Sequence, residues 1–328
     1  MTTPAKATAP HISVIAIGRN EGARLIACLT SVLGRADLVV YVDSGSTDAS
    51  VSEARARGVE VVELDMSVPF TAARARNAGY ARVKALAPEG DFVQFLDGDC
   101  ELDEDWLRKG GAALLDADRI AVVCGRRREK FPDATLWNAL TDAEWAAAQP
   151  GDVKACGGDA LMRRTAFEAV DGFREDLIAG EEPELCFRLR AQGWTILRLD
   201  AEMTRHDADM TRMSQWWQRC RRAGHTFAEG VALHGSSSER YRIHELRRTL
   251  FWGLALPLGI VTTAWLITPW FWALVLIYPA QILRLAGKGT PPVEAAFLML
   301  SKFPELQGVI GYWYGRLSGR RRRLIEYK

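Results

Sequence analysis

Short apolar runs alternate with amphipathic stretches through the first hundred residues. Residues 11–17 are rich in isoleucine and valine, the pattern of a buried strand. Residues 21–33 follow with Leu25, Ile26, Leu29 and Val32 on one helical side. Residues 38–42 predict a second strand, 49–57 a helix capped by Asp48, and 59–64 a third strand. A helix over 71–86 leads to a fourth strand at 92–96. Strands separated by helices of this length predict a mostly parallel α/β sheet flanked by helices. Ligands on such sheets bind at the carboxyl ends of the strands, where the polar clusters after strands one, two and four fall.

A different pattern occupies the other end of the chain. Residues 249–283 form 35 consecutive positions without Asp, Glu, Lys or Arg. One helical membrane span needs roughly 20. Thr268-Pro269 divides the run, and Trp252, Trp265, Trp270 and Trp272 sit where interfacial aromatics belong. Arg247 and Arg248 precede it, and Arg284 and Lys288 follow it. Positive charge on both flanks predicts a membrane-embedded hairpin or re-entrant pair with both ends cytoplasmic. Residues 295–314 carry apolar side chains at roughly helical spacing, interrupted by Pro304, as in an interfacial helix. The run Arg320–Arg323 suits anionic headgroups, at about 1 kcal/mol per charge.

Charge sharpens this division. The chain of 328 residues has 42 Lys+Arg and 41 Asp+Glu, a net charge of +1. Residues 1–204 carry −9, residues 205–248 carry +4 and residues 284–328 carry +6. An acidic front is joined to a basic back across an uncharged stretch. The content of 48% hydrophobic and 25% charged residues excludes disorder and collagen-like classes. The six cysteines form no CxxC pair, so they match neither a zinc site nor a disulfide framework and read as reduced core residues. Residues 1–10 lack an apolar stretch and read as a loose tail, not a secretory signal.

The candidate chemistry lies after the fourth strand, in Phe92-Val93-Gln94-Phe95-Leu96-Asp97-Gly98-Asp99-Cys100-Glu101. An apolar strand delivers two carboxylates, two residues apart, to the mouth of a cleft. Hard divalent cations take oxygen ligands and complete their shell with phosphate oxygens and water. Residues 18–22 are not GxGxxG, and no GxxxxGK[ST] is present, which argues against dinucleotide and phosphate-loop chemistry.

These segments, in this order, resemble a family 2 glycosyltransferase with the GT-A fold. The resemblance rests on residues 14–21, Val42-Asp43-Ser44-Gly45-Ser46-Thr47-Asp48, Ala75-Arg76-Asn77-Ala78-Gly79 and Asp97-Gly98-Asp99. It continues through Gly157-Gly158-Asp159, Asp171-Gly172-Phe173 and Gly180-Glu181-Glu182, covering about residues 11–207. The resemblance implies that Asp43 contacts the nucleotide base, that Glu21 lies near base or ribose, and that Arg76 lies along the nucleotide. It implies that Asp97 and Asp99 hold Mg²⁺ or Mn²⁺ on the diphosphate of a nucleotide sugar. The family's late acidic pair is usually Glu-Asp, with the second member the base for the acceptor hydroxyl. Here Glu182 takes that place with a longer side chain, and Glu181 is the alternative. Asp159 falls where the family positions the acceptor. His206, after a strand at 195–199, is a further metal candidate because a late histidine completes the metal shell in some relatives. Residues 216–225 are similar to the QxxRW element of membrane-bound members, but in the wrong order.

The expected organisation is a tail at 1–10, a catalytic domain at 11–245 and a membrane hairpin with a basic tail at 246–328. The expected activity is inverting transfer of a sugar from a nucleotide-diphosphate donor to a hydroxyl acceptor, lipid-linked or part of an envelope glycan. It would take place at the cytoplasmic face of the inner membrane, with no nucleic-acid partner. A sugar nucleotidyltransferase, a non-catalytic nucleotide-sugar binder and a processive polymer synthase are the rivals. The first leaves Glu181 and Glu182 without a role. The last lacks both a proper QxxRW and enough uncharged chain to build a polymer channel.

Overall fold

The computed structural model describes residues 10–319. Most of the expected tail at 1–10, and the run Arg320–Arg323, lie outside the described residues. The described chain forms two compact units that divide at Asp209 and Met210.

The first unit opens as the hydrophobic pattern predicts. β1 (Ile12–Gly18), α1 (Ala23–Val32), β2 (Leu38–Asp43), α2 (Ser50–Ala56), β3 (Glu60–Glu63), α3 (Ala72–Leu86) and β4 (Phe92–Asp97) follow in turn. Asp48 accepts a hydrogen bond from the Ser50 amide at 3.0 Å, tying the loop to the start of α2. Then come β5 (Cys100–Leu102), α4 (Trp106–Asp116), β6 (Ile120–Glu129), α5 (Leu136–Ala146), β7 (Gly151–Asp152), β8 (Ala160–Arg163), α6 (Arg164–Ala169), α7 (Glu181–Ala191) and β9 (Thr195–His206).

The strands form one sheet in the order β3-β2-β1-β4-β8-β6-β9-β5, with β7 paired to β9. The sheet is parallel through β3, β2, β1 and β4, as expected, and mixed beyond them. β8 runs antiparallel to both β4 and β6, and β5 antiparallel to β9. The core lies on both faces of the central strands. Val14, Ile15, Phe95, Leu96, Leu161 and Leu185 have essentially no exposed surface. Two tight positions matter for the site. β6 pairs with β9 across register shifts between Cys124 and Arg127, and bulges of this kind re-aim side chains. β9 continues seven residues past the expected end at 199, so His206 pairs with Cys100.

The second unit is helical: α8 (Met213–His234), α9 (Ile243–Leu250), a π-helical turn at Phe251–Ala255, α10 (Leu256–Leu266), a 3₁₀ segment at Pro269–Leu276, α11 (Ile277–Ala286), α12 (Pro292–Leu300) and α13 (Lys302–Leu317). Residues 210–245, placed with the catalytic domain by the sequence pattern, pack with these helices. Close backbone approach explains it. A β-carbon on Gly224 of α8 would lie 1.9 Å from the Glu305 carbonyl oxygen, and one on Gly308 of α13 would lie 2.0 Å from that of Arg221. Beneath this contact Glu305 is buried and accepts hydrogen bonds from Thr249 Oγ1, Ser301 Oγ and Lys302 Nζ. Ile243–Leu266 and Pro269–Ala286 are each long and apolar enough to cross a membrane. The turn between them carries Trp265, Leu266, Ile267 and Trp270, all strongly exposed. Exposed tryptophans on an uncharged hairpin fit the expected embedding in a bilayer.

Gly224→Val forces α8 away from α13 and is expected to cost about 1–3 kcal/mol, the range for overpacking a tight contact. Thermal melts of the detergent-solubilised protein by helical circular dichroism test this. Gly259→Ala, where an added methyl meets nothing within 4 Å, is the control.

Candidate active site

The carboxyl end of β4 and the amino end of α7 bring most of the expected residues together. Gly180 takes φ +75°, a left-handed turn that favours glycine, and from it α7 starts with Glu181, Glu182 and Glu184 in its first turn. Carboxylates there meet the positive end of the helix dipole. All three are buried. Glu184 is spent on structure, since it pairs with Arg188, whose guanidinium also donates to the carbonyls of Gly172 and Val170.

Arg76 of α3 joins the two ends. Its Nη2 donates to Asp97 Oδ1 at 2.7 Å and its Nη1 to Glu181 Oε1 at 2.7 Å. Burial works against the guanidinium charge, but the two carboxylates more than offset it and hold the pKa above the ordinary arginine value. A second guanidinium, that of Arg127 on β6, reaches Asp97 Oδ2 at 3.4 Å and Asp159 Oδ2 at 3.6 Å. It lies over the Trp145 ring at 4.8 Å. The sequence pattern had no place for Arg127 or Trp145. The β6 bulges break the alternation from which its direction would have been read.

Asp99 is buried beside His206, whose Nε2 lies 3.3 Å from Asp99 Oδ1. Burial and the Arg127 charge push the His206 pKa down to about 4, so the ring is neutral near pH 7. Its Nδ1 is buried without a hydrogen-bond partner. An oxygen ligand beside a neutral imidazole is a donor set that fits a divalent cation such as Mn²⁺ or Mg²⁺. Asp99, Cys100 and His206 offer ligand atoms within 4.8 Å of one another.

Three expected residues have more structural surroundings. Asp159 has no exposed surface, and its oxygens accept from the Asp97 amide at 3.0 Å, Thr204 Oγ1 at 3.0 Å and Cys100 Sγ at 3.3 Å. It fixes the Asp97–Cys100 turn, and its oxygens face protein groups instead of an acceptor. Asp43 is also buried, accepting from Tyr41 Oη at 2.9 Å and from the amides of Gly45 and Ser46. It shapes the loop after β2. Asn20 then links that loop to the one after β1: its Oδ1 accepts from the Thr47 amide and its own amide donates to Ser46 Oγ. Glu21 stays close to these loops, paired with Arg24 at 2.9 Å.

Glu182 sits apart from Arg76. Its Oε1 accepts from the Cys156 amide at 2.5 Å and lies 2.9 Å from Cys156 Sγ and 3.1 Å from Cys186 Sγ.

Residues 13–171 match the family model described as Glycosyl transferase family 2, and the chain carries a domain of that family. Two curated relatives agree. The O-antigen chain rhamnosyltransferase WbaN of Salmonella anatum is 27% identical over 187 residues, 53% of this chain and 57% of that protein. The glycosyltransferase AglE of Haloferax volcanii is 24% identical over 201 residues, 58% of this chain and 64% of its own. The chain therefore spans less than two thirds of the curated relatives it matches. Among solved structures, the mannosyltransferase PcManGT from Pyrobaculum calidifontis, in complex with GDP-Man and Mn²⁺, superposes with a TM-score of 0.68 at 18% identity. The match covers 94% of this chain and 89% of that one, and it shows the shared GT-A fold.

The His206 environment has a pH consequence. An unfolded histidine takes a proton near pH 6.5, whereas the folded one does so only at about 4. The unfolded state thus binds more protons between these values, and stability falls as pH drops from about 6.5 towards 4. Urea midpoints at pH 7 and pH 5 are expected to lie closer together for His206→Gln than for the wild type.

Proposed function

We propose that the protein is an inverting, divalent-metal-dependent glycosyltransferase. It would move a sugar from a nucleoside-diphosphate donor to a hydroxyl on a membrane-held acceptor. The observation that carries this reading is the Arg76 bridge, which sets the Asp97–Asp99 turn against the acidic start of α7. Such transfer needs positive charge at the leaving group and a base for the incoming hydroxyl, and the guanidinium joins the turn that would carry the first to the helix start that would carry the second.

Asp99 and His206 would hold the cation, with Asp97 at its edge. When bound, the cation supplies charge neutralisation for the departing diphosphate. Arg76 and Arg127 bring further positive charge to the same turn. Glu182 is the base in this reading, because Glu181 is committed to Arg76. A single base opposite the leaving group gives one in-line displacement and inversion at the anomeric carbon. A positioned carboxylate of this kind contributes about 10²–10⁴-fold. Glu21, Asp43 and the loops they shape would border the nucleotide. The similar proteins, a rhamnosyltransferase and a mannosyltransferase bound to GDP-Man and Mn²⁺, support a nucleotide-sugar donor and a divalent cation. The uncharged hairpin and its exposed tryptophans support attachment to the cytoplasmic leaflet and a lipid-linked or envelope-glycan acceptor.

A panel of nucleotide sugars with Mn²⁺ or Mg²⁺ is the test, scoring release of nucleoside diphosphate and the anomeric configuration of the product. Asp99→Ala is expected to reduce turnover by at least about 100-fold, within the range for loss of electrostatic stabilisation at a leaving group. Metal-independent turnover that survives Asp99→Ala would overturn the reading, and pyrophosphate release would identify a nucleotidyltransferase instead. Fractionation of cells expressing the full chain is expected to place it with membranes after a high-salt wash. Replacing Trp265, Leu266, Ile267 and Trp270 together by serine is expected to move part of it to the soluble fraction.

A further inference from the structure

Three groups from different parts of the first unit converge on one oxygen of Glu182. The Cys156 amide and thiol come from the segment before β8, and the Cys186 thiol comes from the next turn of α7. All three reach Oε1. Among the described residues no donor reaches Oε2, which keeps contact with solvent. The two sulfurs are 3.6 Å apart, and both cysteines are buried. We propose that Cys156 and Cys186 are positioning residues for Glu182, holding one carboxylate oxygen so that the other is presented to the acceptor hydroxyl.

This rests on the assignment of Glu182 as the base, and it goes beyond that assignment. A glutamate is one methylene longer than the aspartate usual at this position in the family, and an extra rotatable bond must be held if the reacting oxygen is to stay in place. The thiols and the amide supply that restraint. Cys186 is four residues after Glu182, so the two side chains share a helical face. Both thiols stay protonated, and so remain donors, because burial raises them, Cys186 to about 11 and Cys156 well above the ordinary value. The other titratable group facing this cluster is Cys124 on β6, also raised by burial, with the Arg198 guanidinium of β9 beside it. Each thiol has one hydrogen to give, and a carboxylate is the strongest acceptor within reach.

Donors to a charged carboxylate favour its ionised form. Loss of one donor makes Glu182 easier to protonate, so base function fails at a higher pH. In Cys186→Ala the acidic limb of the kcat/KM profile is therefore expected to move up by roughly half a pH unit to one unit, the scale of one hydrogen bond to a charged group. Cys186→Ser keeps a donor and is expected to return the limb towards the wild-type position. Binding of nucleoside diphosphate with Mn²⁺ is expected to be unchanged in both variants, which checks that the fold is intact. Cys156→Ser, measured in the same way, covers the case in which the Cys186 variants do not fold. An acidic limb that stays put in Cys186→Ala, while Glu182→Gln abolishes transfer, overturns the positioning role alone. Full turnover by Glu182→Gln overturns the assignment of the base itself.

Discussion

The first unit depends on one buried cation. Arg76 has almost no exposed surface, yet it holds a carboxylate on either side, Asp97 from a strand end and Glu181 from a helix start. Removing Arg76 would leave Glu181 without its ion-pair partner and Asp97 with Arg127 alone, a loss on the order of 3–5 kcal/mol for a broken buried pair. The guanidinium therefore constrains where β4 ends and where α7 begins. Its planar fork presents a separate nitrogen to each carboxylate, Nη2 to Asp97 and Nη1 to Glu181, a fixed geometry that a lysine ammonium does not reproduce. The neighbouring residues follow from that placement. Asn77, the next residue, uses its amide to bind the backbone of Phe173 in both directions, and Arg188 closes the same turn through the Gly172 carbonyl. Segments almost a hundred residues apart in the sequence thus meet around α3 and α7.

This explains which parts were legible in the sequence. The strands β1 to β4 and the helices between them follow from the hydrophobic pattern, because β1, β2 and β4 are buried on both faces and the helices bury one side. The order of the short polar segments pointed to the family, since those segments end strands or start helices, and their spacing is fixed by the sheet. Residues that act through distant contacts were less legible. Asp159 lies in an exposed-looking Gly-Gly-Asp turn, but the fold turns it inward onto the Asp97 amide. Asp43 looks like a ligand-binding end to a strand, but two backbone amides and Tyr41 claim its oxygens. Arg127 was lost in a run of three arginines whose directions are set by bulges, and no periodicity rule carries through a bulge.

The helical unit follows a different rule. Its hairpin presents apolar side chains outward, which is unfavourable in water and favourable in lipid. One strongly polar point in its interior, Glu305 with Lys302, Ser301 and Thr249, is paired and ties α9 to α12 and α13. The nearly balanced net charge of +1 is thus a sum over regions in different surroundings. The acidic part carries the carboxylates that would meet a cation. The basic part flanks a segment whose exposed surface is apolar.

The choice between Glu181 and Glu182 can be argued from what each has already given up. Glu181 is bonded to Arg76, and to accept a proton it would have to weaken the pair that positions Asp97. In the proposed reaction a base that loosens the Asp97–Asp99 turn whenever it works is a poor arrangement, since charge at the leaving group and proton removal are needed together. Glu182 carries no such conflict. Its Oε1 is held by neutral donors, and its Oε2 is uncommitted. A proton taken up there leaves Arg76, Asp97 and Glu181 undisturbed. The pair at the start of α7 divides its work in consequence: one glutamate fixes the geometry of the turn opposite, and its neighbour is left able to react.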